Sequence, residues 1–568
     1  MQYRLYHVVM VCLALTALLW APSAYGANPP SEWPTPPEGS DRLTECRAIS
    51  AAGAATLTEI TLPVCQVATL EVEREPPLKG EMYLSTDGRW INFEDEYDVF
   101  LGRDPNRNFG RMIVEVMTEL LLGGVWYIAQ KDFNQQDWFF EISLDGVERK
   151  FSTTELIRFD DNTFLFNQMW HPLAGMGYYI FARTNDFGVA PSYMIGLMSS
   201  TLWEYVLELP EQVSINDQIT TSVAGMALGE VGYHLGEYFN SPYSAGELDQ
   251  RILTGIFGAP RWVHNYYDRK DGELIPTPNE RVYWPDFRLF AGAVSRGESP
   301  TVSGNVDANF GLSTELVAMP GYRRPGQFDH YFGEGNFTRL DLEMSVGDDG
   351  VTEMALFAQA ILFGFYKQDI QVEEGERRGY SLAIGGATAY QVENFDAPLL
   401  EDQRGLVHIL GPALDFTMFA GDLEARFELA GYGDFVAIRS QAFPEFAARF
   451  GTEGLRSDLS NKGYYFGYGA TIRPRLQFYW GRLGLGGEFQ WGRYWGITGR
   501  DRRQEQVTDI LDLDDHLARL QLWLDVPTPV DVLDVRLTYD TNSRLSSVDQ
   551  FEEWNGYQEL GARVQYLF

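Results

Sequence analysis

The chain closes on Glu559-Leu-Gly-Ala-Arg-Val-Gln-Tyr-Leu-Phe568, a stretch in which apolar side chains recur at every second position. Side chains along a β-strand point alternately to opposite faces of the sheet. One face of this strand would therefore be wholly apolar, carrying Leu560, Ala562, Val564, Tyr566 and Phe568. The alternation predicts a strand that separates an apolar environment from a more polar one.

The same alternation recurs from about residue 283 onward, in segments of about ten residues separated by polar turns. Apolar and charged residues alternate in segments such as 339–344, 518–524 and 534–539. This pattern is typical of a transmembrane β-barrel, whose outer face is apolar and whose lumen is polar. A soluble sandwich also alternates, but long strands with aromatic residues near their ends favour the barrel. We predict an antiparallel barrel of about 12 strands over residues 276–568.

The closing run Glu559–Phe568 resembles the C-terminal assembly signal of bacterial outer-membrane barrels. The resemblance implies that the barrel assembly machinery reads Phe568 and that the barrel contacts outer-membrane lipid. Residues 1–26 read as a secretory signal, with Arg4 before an apolar run and Ala24-Tyr-Gly26 as the cleavage site. We expect export through a cleaved signal peptide to the outer membrane of a Gram-negative bacterium.

Composition narrows the possible partners. The chain carries 44 Lys and Arg against 80 Asp and Glu, a net charge of −36, which argues against nucleic acid as a partner. Residues 27–78 begin with a Pro-rich lead and contain Cys46 and Cys65, the two cysteines that would remain after signal cleavage. In an oxidising compartment we predict that they form a disulfide, with two free thiols as the alternative. The oligomeric state stays open.

Residues 79–275 follow a helical rhythm, so the predicted fold class is α+β: an N-terminal helical domain followed by the barrel. Gly110–Gln130 reads as a strongly apolar helix with one polar stripe, formed by Arg111, Glu115, Thr118 and Glu119. The stripe predicts that this helix packs in one bundle with residues 172–232.

Within this domain, the stretch from Asn167 to Glu230 concentrates the polar side chains that invite a chemical interpretation. Pro172 and Pro191 suit the first turns of two helices, where a missing N–H costs nothing. Ser214 offers the N-cap of a third helix, with Asp217 as the acidic partner of a capping box.

The spacing also predicts which side chains meet. Glu204 and Glu208 share one face of the second helix, whereas Gly225 and Gly229 give the third helix a small-residue ridge that another helix can approach closely. We expect the Glu204 face to be that neighbour. His171 would stand at the N-cap of the first helix, where the helix dipole keeps its imidazole neutral.

This run of motifs resembles the bacterial family catalogued as domain of unknown function three-nine-four-three. The matching positions are His171, Pro172, Gly175, Tyr178, Tyr179, Ala182, Arg183, Trp203, Glu204, Tyr205, Glu208, Ser214, Asn216, Asp217, Gly225, Gly229 and Glu230. The family has no known activity, so the resemblance identifies a domain and no reaction. The chain departs from the pattern at Asp186, where Gly is usual. A more distant similarity connects the domain with VanZ-like membrane proteins.

Two classes of function follow for this domain. As an enzyme, it would use His171 as general base with Glu204 and Asp217 as orienting carboxylates, hydrolysing an envelope lipid or glycan. As a structural element, the same groups would cap helices, and Glu204 would pair with Arg183. No cofactor or metal is predicted. The residues assigned to binding or structure are Asn167, Tyr178, Tyr179, Arg183, Trp203, Glu208, Ser214, Asn216, Gly225, Gly229 and Glu230.

For the whole chain, we expect the helical domain to plug or abut the barrel and to serve passage or binding of an envelope component. Its charged helix faces would then meet charged side chains of the lumen, namely Arg339, Asp341, Glu343, Arg519 and Arg536. The alternative is a periplasmic docking scaffold for another envelope protein.

Overall fold

The structure is a computed structural model, and it describes residues 82–84, 90–92, 108–129, 143–154, 156–160, 162–240, 248–268, 283–298, 306–319, 321–348, 350–373, 375–397, 400–497 and 510–567. The predicted signal peptide, the Cys46–Cys65 disulfide and the terminal Phe568 lie outside these residues and stay predictions. The predicted boundary between residues 275 and 276 also lies outside them.

The described part of the N-terminal half is mainly helical. Its helices are α1 Phe109–Ala129, α2 Leu144–Ser152, α3 His171–Thr184, α4 Val189–Leu202, α5 Ile215–Ile219, α6 Gly225–Phe239, α7 Leu248–Phe257 and α8 Ala259–Tyr267. Three π-helical segments adjoin them, at Phe166–Trp170, Trp203–Leu207 and Thr220–Ala224. Short strand pairs complete the region: β1 Met82–Leu84 with β2 Trp90–Asn92, and β3 Ile157–Arg158 with β4 Val213–Ser214.

The C-terminal half is a closed antiparallel barrel. Its strands are β5 Tyr283–Glu298, β6 Val306–Ala318, β7 Gly326–Phe332, β8 Phe337–Gly347, β9 Gly350–Glu373, β10 Glu376–Ala397, β11 Leu400–Ala420, β12 Leu423–Arg439, β13 Tyr464–Trp480, β14 Leu483–Gly496, β15 Leu513–Pro527, β16 Leu533–Val548 and β17 Phe551–Leu567. β17 pairs with β5 and closes the ring. β7 and β8 pair with successive parts of β9, so the ring has 12 positions and the prediction of about 12 strands is confirmed. Helices α9 Phe443–Phe450 and α10 Ser457–Lys462 lie between β12 and β13.

The lumen of the barrel is filled with ion pairs and closed at one end by a turn. Arg296 pairs with Asp307, Glu353 and Glu559, and comparable pairs line the wall further on. After β6 the chain folds inward, where Tyr322 is 1% exposed and Arg323 lies over the Trp284 ring at 4.7 Å. Two lumen cavities measure about 50 and 120 Å³, enough for a few water molecules.

The helical domain packs against the outer face of this barrel. Its apolar core includes one row of paired strand residues that crosses five strands, Leu340, Ala358, Tyr390, Val407 and Phe435. Their sequence neighbours point into the lumen, as strand alternation requires. The prediction that the helices abut the barrel is therefore confirmed, and the prediction of a plug is wrong.

The lumen charges that we expected to receive the helices pair with other side chains of the barrel instead. Arg339 contacts Asp341 and Glu488. Arg519 contacts Asp540, Arg536 contacts Asp525, and Glu343 contacts Arg563. Burying a charge is costly unless it is paired, and these side chains meet that requirement within the wall. The helices present an apolar surface, which suits the apolar outer face.

Within the helical domain, α3 and the start of α6 cross at backbone contact. A Cβ at Gly175 would stand 1.7 Å from the Thr221 carbonyl oxygen, and one at Gly225 would stand 2.5 Å from the Gly175 carbonyl carbon. Gly229 faces the Tyr179 ring. The predicted close approach is confirmed, but its expected neighbour was wrong: α3 lies against the ridge, not the Glu204 face.

The long apolar helix α1 packs on α3 through Met112, Val116 and Leu120. Part of its predicted polar stripe faces the same bundle, since Arg111 donates to Asn185 and Glu115 accepts from Asn185, whereas Thr118 of that stripe is exposed. The remaining large side chains of α1 are exposed: Phe109, Ile113, Val114, Met117, Leu121, Leu122, Val125, Trp126 and Ile128. The packing prediction for this helix is confirmed.

Candidate functional site

The residues predicted to be catalytic lie next to the three π-helical segments. His171 follows the first segment, Glu204 lies in the second, and Asp217 stands three residues before the third. An extra residue in a helical turn redirects the side chains around it, and such π-bulges occur frequently at functional sites. The π-helical segments therefore shift the helical register at His171 and Glu204, whereas Asp217 lies in the first turn of α5.

His171 does not cap a helix. The chain is already helical at residues 164 and 165, so His171 lies inside a continuous helix and the predicted N-cap position is wrong. Pro172 has no N–H to donate to the Gln168 carbonyl four residues earlier. The Tyr390 hydroxyl of β10 donates to that carbonyl instead. A hydroxyl from the barrel wall thus replaces the backbone hydrogen bond that Pro172, next to His171, cannot donate.

Ser214 caps α5 as predicted, because its Oγ accepts a hydrogen bond from the Asp217 backbone N–H at 3.2 Å. The predicted reciprocal contact from Asp217 is wrong. Glu204 Oε2 accepts the Ser214 backbone N–H at 2.7 Å and completes the cap from the neighbouring helix. The Asp217 carboxylate is left to face His171.

Together these side chains form a group that we call the polar centre: Asp160, His171, Glu204, Asn216 and Asp217. His171 Nε2 lies 3.3 Å from Asp217 Oδ1. The Asn216 side-chain amide donates to both Asp160 Oδ1 and Asp217 Oδ1, at 2.8 Å each. The structure thus brings two of the predicted catalytic residues into contact and adds Asp160 to them.

Burial controls the charges of the polar centre. It lowers the pKa of His171 to about 4 and raises the pKa of Glu204 to about 8. Burial also raises the pKa of Asp217 well above its ordinary value, and the carboxylates of Asp160 and Glu204 add to that rise. Among the described residues, no Lys or Arg forms an ion pair with Asp160, Glu204 or Asp217. Burial, and not the predicted helix dipole, keeps His171 neutral.

Several polar atoms of this region are buried without a hydrogen-bond partner. They are His171 Nε2, Glu204 Oε1 and Asn167 Oδ1. Asn167 is fully buried, and its Nδ2 donates to Asp160 Oδ1 at 2.7 Å. Buried polar atoms are usually satisfied in folded proteins, and although other buried atoms of the described chain also lack partners, these three cluster around one His–carboxylate group.

A second group of polar side chains, the Arg183 cluster, lies further along the same helices. Arg183 donates to both carboxylate oxygens of Glu230, at 3.0 and 2.9 Å, and to Glu334 Oε2 at 3.0 Å. The Tyr179 hydroxyl also donates to Glu230. Burial alone would raise the pKa of Glu230, but Arg183 and His234 hold it at about 2. The predicted Glu204–Arg183 pair is wrong, because Glu230 is the partner of Arg183.

Other predicted site residues contact the elements that surround the polar centre. Trp203 packs on the Tyr127 ring of α1, with 6.3 Å between ring centroids. The Glu208 backbone carbonyl accepts from Lys150 Nζ at 2.6 Å, and Tyr178 is buried against α1. Asp160 was missed, although the acidic turn Asp160-Asp-Asn162 just before the motif was a visible signal.

Comparison with known proteins gives one family and a set of barrels. Residues 156–257 match the family described as Domain of unknown function (DUF3943). This confirms the resemblance found in the motifs, while the VanZ-like similarity finds no support. No curated protein matches the chain.

Solved structures that match the chain are bacterial barrels of very low identity. OmpT, an outer membrane protein of Vibrio cholerae, is 7% identical over 50% of this chain and 98% of its own, with a TM-score of 0.20. The translocator domain of the autotransporter NalP from Neisseria meningitidis is 10% identical over 55% and 95%, with a TM-score of 0.17. An anion-selective porin from Comamonas acidovorans is 10% identical over 50% and 100%, with a TM-score of 0.17.

Proposed function

We propose that this chain is an outer-membrane barrel protein whose barrel anchors the helical domain, and that the polar centre, not the lumen, handles an envelope component. The observation that carries the proposal is the position of the helices on the outer wall of a barrel whose lumen is filled. A protein built for passage would need a continuous route through the barrel. Here Tyr322 and Arg323 occupy one end, and ion pairs such as Arg296–Glu353 together with apolar side chains such as Leu406 line the lumen around its two small cavities.

The outer surfaces support a location in lipid. Where helices do not cover the barrel, its outer face exposes large apolar side chains, among them Leu476, Phe478, Leu485, Trp491, Leu522, Leu537, Leu560 and Val564. Helix α1 continues this apolar surface on the helical side. It has 21 residues, about 31 Å at 1.5 Å per residue, and is the one described helix long and apolar enough to cross a membrane. Apolar patches of this extent are normally covered by lipid or protein.

Ion conduction through the reconstituted protein tests the proposal. In planar bilayers the wild-type chain should show no steady conductance, because the lumen is closed. A Tyr322→Ala, Arg323→Ala double variant removes the turn side chains that close one end and should leak more than wild type. A matched control, Asp329→Ala, changes an exposed residue of β7. Steady conductance by the wild type would contradict the proposal.

An envelope component bound at the polar centre should be carried along during gentle purification. We expect native mass spectrometry of the wild-type chain to show a retained lipid or glycan that His171→Ala loses. His264→Ala serves as control, since His264 is a buried histidine outside the centre. Equal retention by both variants would place the bound component elsewhere.

Acid–base catalysis at the same centre is a second candidate, favoured by a neutral His171 3.3 Å from Asp217 Oδ1. In that case the substrate would be an ester of an envelope lipid or glycan. His171 would act as general base and Asp217 would orient it, while Glu204 would act as a neutral acid. Incubating outer-membrane lipid extracts with wild-type and His171→Gln chains should then release product only with the wild type. If neither chain releases product, the hydrolase candidate fails while binding survives. The docking scaffold has no specific observation in its favour.

A further inference from the structure

We propose that Asp160, His171 and Asp217 bind one divalent transition-metal cation, with zinc as the reference ion. The inference is independent of where the helical domain sits relative to lipid and of which envelope component is handled. It concerns three side chains from separate parts of the chain: the segment after β3, the start of α3, and α5.

The geometry of the three side chains fits a single ion. Each offers one ligand atom, and these atoms all lie within 4.8 Å of one another. Zinc binds imidazole nitrogen and carboxylate oxygen at about 2.0–2.2 Å, which puts neighbouring ligand atoms of a tetrahedron about 3.3–3.6 Å apart. The 3.3 Å between His171 Nε2 and Asp217 Oδ1 matches that edge. One imidazole with two carboxylates also suits manganese or iron(II).

The contact between His171 and Asp217 is not an ordinary hydrogen bond. His171 Nε2 is buried and makes no hydrogen bond, although Asp217 Oδ1 lies within range. The two atoms thus stand at the spacing of neighbouring ligands of one ion without meeting the geometry of a hydrogen bond. Glu204 adds an independent observation, since it is 1% exposed and its Oε1 has no partner.

A cation would also suit the charges near the centre. Asp160 and Asp217 carry carboxyl groups that form no ion pair with a described Lys or Arg, and Lys150 acts on nearby Glu204 only without direct pairing. An uncompensated buried carboxylate is costly. A divalent cation would neutralise two of the three, as arginine neutralises Glu230 elsewhere in the same helices.

The side chains around the three ligands hold them in place. The Asn216 amide donates to Asp160 and Asp217 together, and Asn167 and Asn162 donate to Asp160 at 2.7 and 2.6 Å. Metal sites depend on such outer contacts, and their loss typically lowers metal affinity 10- to 100-fold. Asn216 is therefore a positioning residue for the proposed site.

The helical domain contains a second histidine–carboxylate pair, His264 with Glu115, whose ring nitrogens both have partners. This pair serves as a control for the proposed site. His264 Nε2 is hydrogen-bonded to Glu115 Oε1, and its Nδ1 lies 3.2 Å from the Thr184 carbonyl oxygen. Both ring nitrogens of His264 thus have partners. This pair should not bind a metal, and changing it should leave binding at the polar centre intact.

Metal binding to the full chain tests the proposal. Protein folded in detergent and stripped with a chelator is titrated with Zn²⁺ and with Co²⁺, whose visible absorption reports the ligand geometry. We expect one equivalent of either metal for the wild type. His171→Gln and Asp217→Asn should weaken binding at least 10-fold, Asn216→Ala should weaken it 10- to 100-fold, and His264→Gln should bind like wild type.

Folding is checked separately, by the heat-dependent gel mobility of the barrel and by near-ultraviolet circular dichroism of each variant. Variants that keep both signals but lose the metal support the site. The proposal is overturned if the folded wild-type chain binds less than one tenth of an equivalent, since protonated carboxylates would then explain the centre. It is also overturned if His171→Gln and His264→Gln reduce binding equally.

Discussion

The polar centre and the Arg183 cluster share helix α3 and lie mostly in the interior of the helical domain, yet their polar groups are completed in different ways. In the Arg183 cluster every guanidinium nitrogen donates, and both oxygens of Glu230 accept. In the polar centre His171 Nε2 and Glu204 Oε1 have no partner. His234 Nδ1 beside the cluster also lacks a partner, so the difference concerns the charged groups alone. The Arg183–Glu230 ion pair is fully satisfied and stabilises the fold, whereas Glu204 and His171 leave polar atoms available for a ligand.

The same contrast appears in the pKa values. Arg183 and His234 outweigh burial and hold the pKa of Glu230 at about 2, so its charge is kept. Burial raises the pKa of Glu204 to about 8, so its charge is suppressed. Substitutions that remove a charge should therefore be costly in one group and mild in the other.

The largest effect is expected for Glu230→Gln. Removing one partner of a buried ion pair costs about 3–5 kcal/mol when the other charge is left alone, and the loss here should lie toward the lower end because Arg183 keeps Glu334. Hydrogen exchange of the α3 amides, followed by mass spectrometry, should show that loss as faster local opening. The control is Glu445→Gln in the exposed Glu445–Arg449 pair of α9, which should change stability by less than about 0.5 kcal/mol. Similar losses of stability in Glu230→Gln and Glu445→Gln would show that the buried ion pair matters no more than the exposed one.

Lowering the pH should have the next largest effect on stability, and it should act on the same Arg183 cluster. A carboxylate whose folded pKa is depressed contributes stability above its unfolded pKa and loses it as pH falls. For Glu230 that window runs from about 4.5 down to about 2, and the full loss is about 3 kcal/mol. The protection factors of α3 amides, which correct for the intrinsic exchange rate at each pH, should fall across this window in the wild type. In Glu230→Gln this fall should disappear, and its persistence would assign the transition to other groups.

A disturbed crossing of α3 and α6 should have the third largest effect on stability, because both groups depend on the contact between these two helices. Gly175→Ala forces a Cβ toward the Thr221 carbonyl, and overpacking of this kind costs about 1–3 kcal/mol. Gly196→Ala is the matched control within α4, since a Cβ there meets no atom within 4 Å. Thermal unfolding followed by near-ultraviolet circular dichroism should separate the two variants. Equal midpoints would contradict the close crossing.

The smallest effect is expected for Glu204→Gln in metal-free protein. At pH 7 the Glu204 carboxyl is already protonated, so the amide replaces a neutral group, and we expect a change within about 1 kcal/mol. Because the folded pKa is raised, wild-type stability should fall as pH rises from about 4.5 through about 8, and the variant should lack that decline. Hydrogen-exchange protection factors at pH 6 and pH 9, each corrected for the intrinsic exchange rate, measure both the stability change and its pH dependence. A loss as large as that of Glu230→Gln would contradict the comparison.

Much of the fold could be predicted from the sequence because its signals are local. Alternation along segments such as 534–539 specifies which face of a strand is apolar, and that gave both the barrel and its strand number. The helices after Pro191 and Ser214 were visible for the same reason. Asp186, noted as a departure where Gly is usual, adopts a φ of 66°, a conformation that glycine reaches more easily.

The parts that could not be predicted depend on contacts between distant residues. The π-helical segment before His171 moves this residue from a helix end to a helix interior, and the Tyr390 hydroxyl that supports it comes from β10. The choice of Glu230 over Glu204 as the partner of Arg183 depends on the crossing of two helices. The placement of the helices outside the barrel depends on which face of β8 to β12 they cover, and alternation alone leaves both faces available.

A disulfide between the helical domain and the barrel wall tests the central claim most directly. Gln168 Cγ lies 2.8 Å from the place where a Cβ on Gly405 would stand, within reach of a disulfide. In a chain whose native cysteines are replaced by serine, Gln168→Cys should crosslink with Gly405→Cys on the outer face of β11. It should not crosslink with Leu406→Cys, one residue further and pointing into the lumen. Efficient crosslinking to Leu406→Cys, and none to Gly405→Cys, would place the helices inside the barrel and contradict the account.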